Sequence, residues 1–117
     1  MAQALKILSV TVSSAGTAQR VVSDATSVYR YVPWVYFEAS ADNGGLIYVG
    51  DADVASDNYT TVLDAAQSSK GINFSAFQYD QSPSAGVQNE DLWDLYNMWV
   101  DTSNNGDVVF VTVPTQQ

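Results

Sequence analysis

In Leu8-Ser9-Val10-Thr11-Val12 apolar and polar residues alternate with a period of two, the mark of a strand that buries one face, and Ser13-Ser14-Ala15-Gly16 ends it. Residues 17–22 are expected to return as its hairpin partner. Residues 28–39 form the longest β-rich run, with Val28, Val32, Trp34 and Tyr36 on one side and Tyr29, Tyr31, Val35, Phe37 and Ala39 on the other. Both faces of that strand are therefore expected to be largely apolar. Asp42-Asn43-Gly44-Gly45 is a turn signal, because asparagine and glycine supply the positive φ of tight hairpins, and residues 46–49 are expected as the returning strand. Residues 50–69 read as polar and irregular, with Val62-Leu63 a short edge segment, before 72–77 resume alternation through Ile72, Phe74 and Ala76. Residues 78–89, which include Ser82-Pro83-Ser84-Ala85-Gly86, read as an exposed loop.

Further on the period changes. Leu92, Leu95, Tyr96 and Trp99 sit at helical spacing behind Asn89, a residue type suited to an N-cap, so a short helical turn is expected near 90–96. A strand over 98–101 is then expected to pair with one over 108–113 as a hairpin with Asn105-Gly106 at its tip. Seven or eight short strands in one domain over 1–117 predict an all-β fold, a β-sandwich or jelly-roll-like architecture.

Composition narrows the function. The chain has no cysteine and no histidine, which removes disulfides, thiolate nucleophiles, the usual zinc sites and every Ser-His or Cys-His catalytic arrangement. Thirteen acidic residues face four basic ones, Lys6, Arg20, Arg30 and Lys70, and these are scattered. Binding nucleic acid or an anionic membrane relies on clustered Lys and Arg, so neither is expected as a partner. The first residues turn polar too soon for a signal peptide, and no apolar run reaches membrane-spanning length, so synthesis in a cytoplasm is expected.

Asp101-x-Ser103-x-Asn105-Gly106 copies the first half of an EF-hand loop, but the twelfth position is Thr112 where a bidentate carboxylate belongs. A turn is the expectation there, and no metal is assigned. Asp51, Asp53 and Asp57 form a second acidic cluster that reads as surface solvation or turn capping. Glu38, Glu90, Asp91 and Asp94 are the carboxylates open to acid–base work, yet nothing in their spacing makes a catalytic pair; no enzymatic activity and no cofactor are expected. The aromatics stand out more: Tyr29, Tyr31, Trp34, Tyr36 and Phe37 within nine residues, then Trp93, Tyr96 and Trp99. Two readings stand side by side. These rings form a core with tyrosines reaching to solvent, or one set faces another protein, since Tyr and Trp are enriched at interface centres. Candidate interface residues are Tyr29, Tyr31, Trp34, Tyr36, Trp93, Tyr96 and Trp99. A sugar-binding platform would use similar residues.

Three segments carry a resemblance: Val10-Thr11-Val12-Ser13-Ser14-Ala15-Gly16-Thr17-Ala18-Gln19-Arg20-Val21-Val22, then Gly45-Leu46-Ile47-Tyr48-Val49-Gly50-Asp51, and Asp94-Leu95-Tyr96 with Trp99-Val100-Asp101-Thr102-Ser103-Asn104-Asn105-Gly106-Asp107. In that order they resemble a family of small virion structural proteins of tailed bacteriophages built as short β-sandwich modules. The resemblance implies a capsid decoration or cement protein, often a homotrimer, that clamps the major capsid protein on the outer capsid surface after synthesis in the host bacterial cytoplasm. The alternative is a tail- or fibre-associated sandwich that binds host surface polysaccharide. An acidic chain suits the outside of a DNA-filled shell better than its lining.

Overall fold

The computed structural model describes residues 3–73 and 92–116. Within them lie ten strands: β1 (Gln3–Val12), β2 (Gln19–Arg20), β3 (Tyr31–Val32), β4 (Trp34–Ala39), β5 (Ile47–Gly50), β6 (Thr61–Leu63), β7 (Ser69–Asn73), β8 (Trp93–Asp94), β9 (Trp99–Thr102) and β10 (Asp107–Gln116). The expected all-β fold is present. The strand number exceeds the expected seven or eight because β2, β3 and β8 are two-residue pairings too short to leave a periodic signal. The helical turn is a single 3-10 turn, Leu95–Asn97, capped by Asp94; Asn89 and the loop expected over 78–89 lie outside the described residues, as do residues 74–77 of the strand expected at 72–77.

Two antiparallel four-stranded sheets, ordered β1-β10-β4-β7 and β2-β9-β5-β6, enclose the core, and β3 with β8 makes a two-stranded ribbon. Pairing is longest between β1 and β10, from Gln3 opposite Gln116 to Val12 opposite Asp107. The inward side chains of the first sheet, among them Val10, Val12, Val35, Phe37, Val109, Val111 and Val113, meet Ile47, Val49, Leu63 and Val100 of the second. This valine-rich composition suits strands, because a β-branched side chain loses little freedom on a pleated surface. Among the described residues Phe37 is the largest of the fully buried side chains; truncating it to alanine would cost about 3–5 kcal/mol.

The connections correct three expectations. Residues 17–22 do not return beside β1: β2 pairs with β9 in the other sheet, and the partner of β1 is β10. Residues 46–49 do not return beside β4 either, since β5 lies between β9 and β6. Nor is the 98–101 and 108–113 pair a hairpin, because β9 and β10 belong to different sheets. All three turns are arches that carry the chain across the sandwich. Gly106, at the tip of the arch between β9 and β10, has positive φ, 82°, the left-handed conformation that favours glycine. A further correction concerns the run 28–39. Pro33, which has no N–H to offer a ladder, divides it into β3 in the ribbon and β4 in the first sheet. Val62-Leu63 does lie in an edge strand, β6.

Candidate functional site

Three features stand out once the sandwich is built: a polar clasp at one end, a ladder of stacked arginines and aromatics at the other, and an apolar outer face on the first sheet.

The clasp is centred on the arch between β9 and β10. Asp107 is buried and its two oxygens accept the N–H groups of Gly44 (3.1 Å) and Gly45 (2.9 Å). Asp101, also buried, accepts from the N–H groups of Gly16 (2.9 Å) and Thr102 (2.8 Å). Ser103 Oγ accepts from Leu46 N–H at 2.7 Å, and Asn105 Oδ1 from Ala15 N–H at 2.8 Å. Gly106 N–H donates to Val12 O at 2.8 Å. Asn43 exchanges two bonds with the backbone of Val108, at 2.7 and 2.8 Å. Asp101, Ser103 and Asn105, the alternating oxygen-bearing positions of the EF-hand-like stretch, thus each receive N–H donors from the backbone, chiefly that of neighbouring arches. That is the chemistry of a loop lock, in which side-chain acceptors replace the ladder partners that arches lack. The same economy explains Gly45: a Cβ there would stand 2.9 Å from Asn104 Cβ and closer still to Ser103 Oγ. At the other acidic cluster, Asp51 Oδ1 accepts from Asp53 N–H at 2.9 Å, which is turn capping, the second of the two readings given for it.

At the opposite end, the 3-10 turn brings Tyr96 against β2. The Arg20 guanidinium carbon lies 3.8 Å from the Tyr96 ring centroid and 4.6 Å from that of Trp99, and its Nη1 donates to Tyr96 O at 2.5 Å. Arg30 lies 4.9 Å from the Tyr96 ring and 4.8 Å from Tyr31. Its Nε and Nη2 grip the two oxygens of Asp94 at 2.8 and 2.9 Å. Asp94 also accepts from Tyr96 N–H and Asn97 Nδ2, and these bonds shape the turn. The Arg30 guanidinium holds the Asp94 carboxyl below its ordinary value of 3.8, against the opposing effect of burial and with help from Asn97 and the Tyr96 amide; the same pairing raises Arg30. Arg30–Asp94 is the single ion pair among the described residues, none of which gives Arg20 a carboxylate.

The outer face of the first sheet is apolar at its β1 edge. Leu5 is 68% exposed and Ile7 64%, with Phe110 at 38% and Tyr36 at 41% beside them. Register makes them neighbours: Ile7 stands opposite Thr112, which stands opposite Tyr36, and Phe110 lies between Ser9 and Glu38. Tyr36 also bonds Ser69 through its hydroxyl at 2.7 Å.

The seven aromatics singled out from the sequence divide accordingly. Tyr31, Tyr96 and Trp99 join the arginine ladder. Trp93, in the ribbon opposite Val32, packs against the core, as does Tyr29, over which Lys6 Nζ sits at 5.7 Å from the centroid. Trp34 is half-buried in β4, and Tyr36 is on the outer face of the first sheet. Tyr31 of the first aromatic run thus meets Tyr96 of the second through Arg30, while Tyr36 lies on the outer face of the first sheet. Of the carboxylates considered for acid–base work, Asp94 is committed to Arg30, Glu38 is exposed, and Glu90 and Asp91 lie outside the described residues. Leu5, Ile7 and Phe110 went unremarked in the sequence. The signal was present: in residues 5–8 apolar side chains occupy both parities of the strand, so one of them has to face outward. Arg20 and Arg30 had no local signal, because their rings are contributed mainly by residues far along the chain.

No protein-family model matches the chain, and no curated protein matches it. Two solved structures are similar in outline. One comes from work on Bacillus endospore appendages, described as a family of disulfide-linked pili, at 12% identity over 98% of this chain and 87% of that one, with a TM-score of 0.44. The other is the cryo-EM structure of the virus-like particle of extra small virus from the giant freshwater prawn Macrobrachium rosenbergii, at 10% identity over 100% of this chain and 82% of that one, with a TM-score of 0.41. At such identities and scores neither assigns this chain a family or a role.

Proposed function

We propose that the protein is a non-enzymatic structural subunit of a bacteriophage virion, a decoration or cement protein that sits on the outer capsid surface, contacts the major capsid protein and associates with itself as a trimer. The observation that carries this reading is the outer face of the first sheet. Leu5 and Ile7 leave most of their side-chain surface in water, and covering each would return about 1–2 kcal/mol. Patches of this kind mark contacts between proteins. The net charge of −9 favours a location outside the packaged DNA, and the three sequence segments that resemble phage virion proteins supply the rest of the support. Cementing needs only modest affinity per copy, because a trimer that spans several capsomers releases slowly.

Capsids assembled with and without the protein, compared by rupture temperature and DNA retention, test this. The added protein should raise the rupture temperature, and Ile7→Ser should lose capsid binding while its own melting is unchanged. Equal rupture temperatures, with antibody labelling at the tail instead of the head, would overturn the cement reading in favour of a tail-associated module that binds host polysaccharide.

A further inference from the structure

Arg20 and Arg30 share the Tyr96 ring, and their difference is informative. Arg30 uses its Nε and Nη2 edge to hold both oxygens of Asp94. Arg20 is stacked between Tyr96 and Trp99 and tied through Nη1 to Tyr96 O. Its own Nε and Nη2 edge, the edge that Arg30 fills, receives no acceptor among the described residues. A half-buried guanidinium immobilised in this way has already lost the rotamer freedom that binding would cost, and its fork matches a carboxylate in two parallel hydrogen bonds.

We propose that Arg20 is the anchor of a protein–protein contact in which its Nε and Nη2 receive one Asp or Glu carboxylate from a partner protein, with Trp99 and Tyr96 as the walls. The net charge of −9 selects among partners: a polyanion or a strongly acidic surface is repelled at long range, so the carboxylate belongs to a surface otherwise neutral or basic. Trp, Tyr and Arg are the residue types that dominate interface energetics, and here all three meet in one place. An acidic sugar is the weaker fit, because guanidinium groups already lie over the rings on which a pyranose would stack. The site belongs to the second sheet and the 3-10 turn, apart from the apolar face of the first, and does not depend on the virion reading.

The test uses the full chain, isotopically labelled, at neutral pH and about 0.15 M salt, where long-range repulsion is damped. The probes are an end-blocked Gly-Gly-Glu-Gly-Gly peptide, its Gln counterpart and a trimer of galacturonic acid. The Glu peptide should shift the Arg20 Nε–H and Trp99 indole N–H resonances saturably in the millimolar range, with the Gln peptide roughly tenfold weaker. Arg20→Lys keeps the charge but loses the fork and should bind the Glu peptide several-fold more weakly. No response at Arg20, equal binding of the Glu and Gln peptides, or undiminished binding by Arg20→Lys would overturn the proposal. Tighter binding of the galacturonate trimer would overturn the protein partner in favour of an acidic polysaccharide. If Arg20→Lys fails to fold, the Glu against Gln comparison on the unaltered protein decides alone.

Discussion

Removing the Asp107 carboxylate should be among the most costly single changes outside the apolar core. The side chain is buried and its two oxygens accept the N–H groups of Gly44 and Gly45, with Asn104 Nδ2 a third, longer donor at 3.3 Å. Asp107→Ala leaves two backbone donors without an acceptor in a partly buried place. A hydrogen bond to a charged group contributes about 1.5–3 kcal/mol, so losing two, less some relaxation and hydration, amounts to roughly 3–5 kcal/mol. Against a total of about 5–15 kcal/mol for a domain of this size, that is a large share. Asp107→Asn retains one acceptor but sets its NH2 against the remaining N–H, for roughly 2–3 kcal/mol. Guanidinium unfolding should show a lower midpoint with unchanged slope, and hydrogen exchange should show protection lost at Gly44 and Gly45. Ser103→Ala, which removes one neutral acceptor for Leu46 N–H at an exposed position, serves as the comparison at about 1 kcal/mol. A cost below about 1 kcal/mol for Asp107→Ala, or retained protection at Gly44 and Gly45, would refute the clasp as a source of stability.

Gly106 has open space around its Cβ position but φ 82°, so Gly106→Val should cost about 1–2 kcal/mol through backbone strain alone, with Gly106→Asn cheaper, as read by thermal unfolding. Gly45→Ala should destabilise for the opposite reason, contact with Asn104 and Ser103, and part of its cost should be recovered in combination with Ser103→Ala. The carboxyl of Asp94 titrates below 3.8 in the folded chain, so the Arg30 pairing adds stability above that value and loses it as pH falls through the lower folded one. Urea midpoints should therefore decline below about pH 4, and Asp94→Asn should flatten that part of the decline. Calcium should leave the melting temperature unchanged, since Asp101, Ser103 and Asn105 already accept backbone N–H groups; a rise reversed by a chelator would contradict the clasp geometry.

Much of this protein is written locally. Alternation in residues 8–12 specified a strand and which side it buries, because a period of two is a property of consecutive residues, and the β-rich run 108–113 marked a second strand. The turn residues at 13–16, 42–45 and 103–107 likewise marked where the chain reverses, and Gly106 has the positive φ its place in a turn suggests. Whether a reversal is a hairpin or an arch was decided only by tertiary packing. A strand that buries one face presents the same pattern whether its successor lies beside it or across the core, so residues 17–22, 46–49 and 108–113 could not announce their sheets. The side chains that settle the matter act at long range: Asp107 reaches Gly44 and Gly45, Asn105 reaches Ala15, and Asp101 reaches Gly16. The candidate surfaces divide in the same way. Outward Leu5 and Ile7 follow from strand parity, whereas the Arg20, Tyr96 and Trp99 stack exists only because β2 pairs with β9, some eighty residues along the chain, and pairing over such a separation leaves no trace in local sequence.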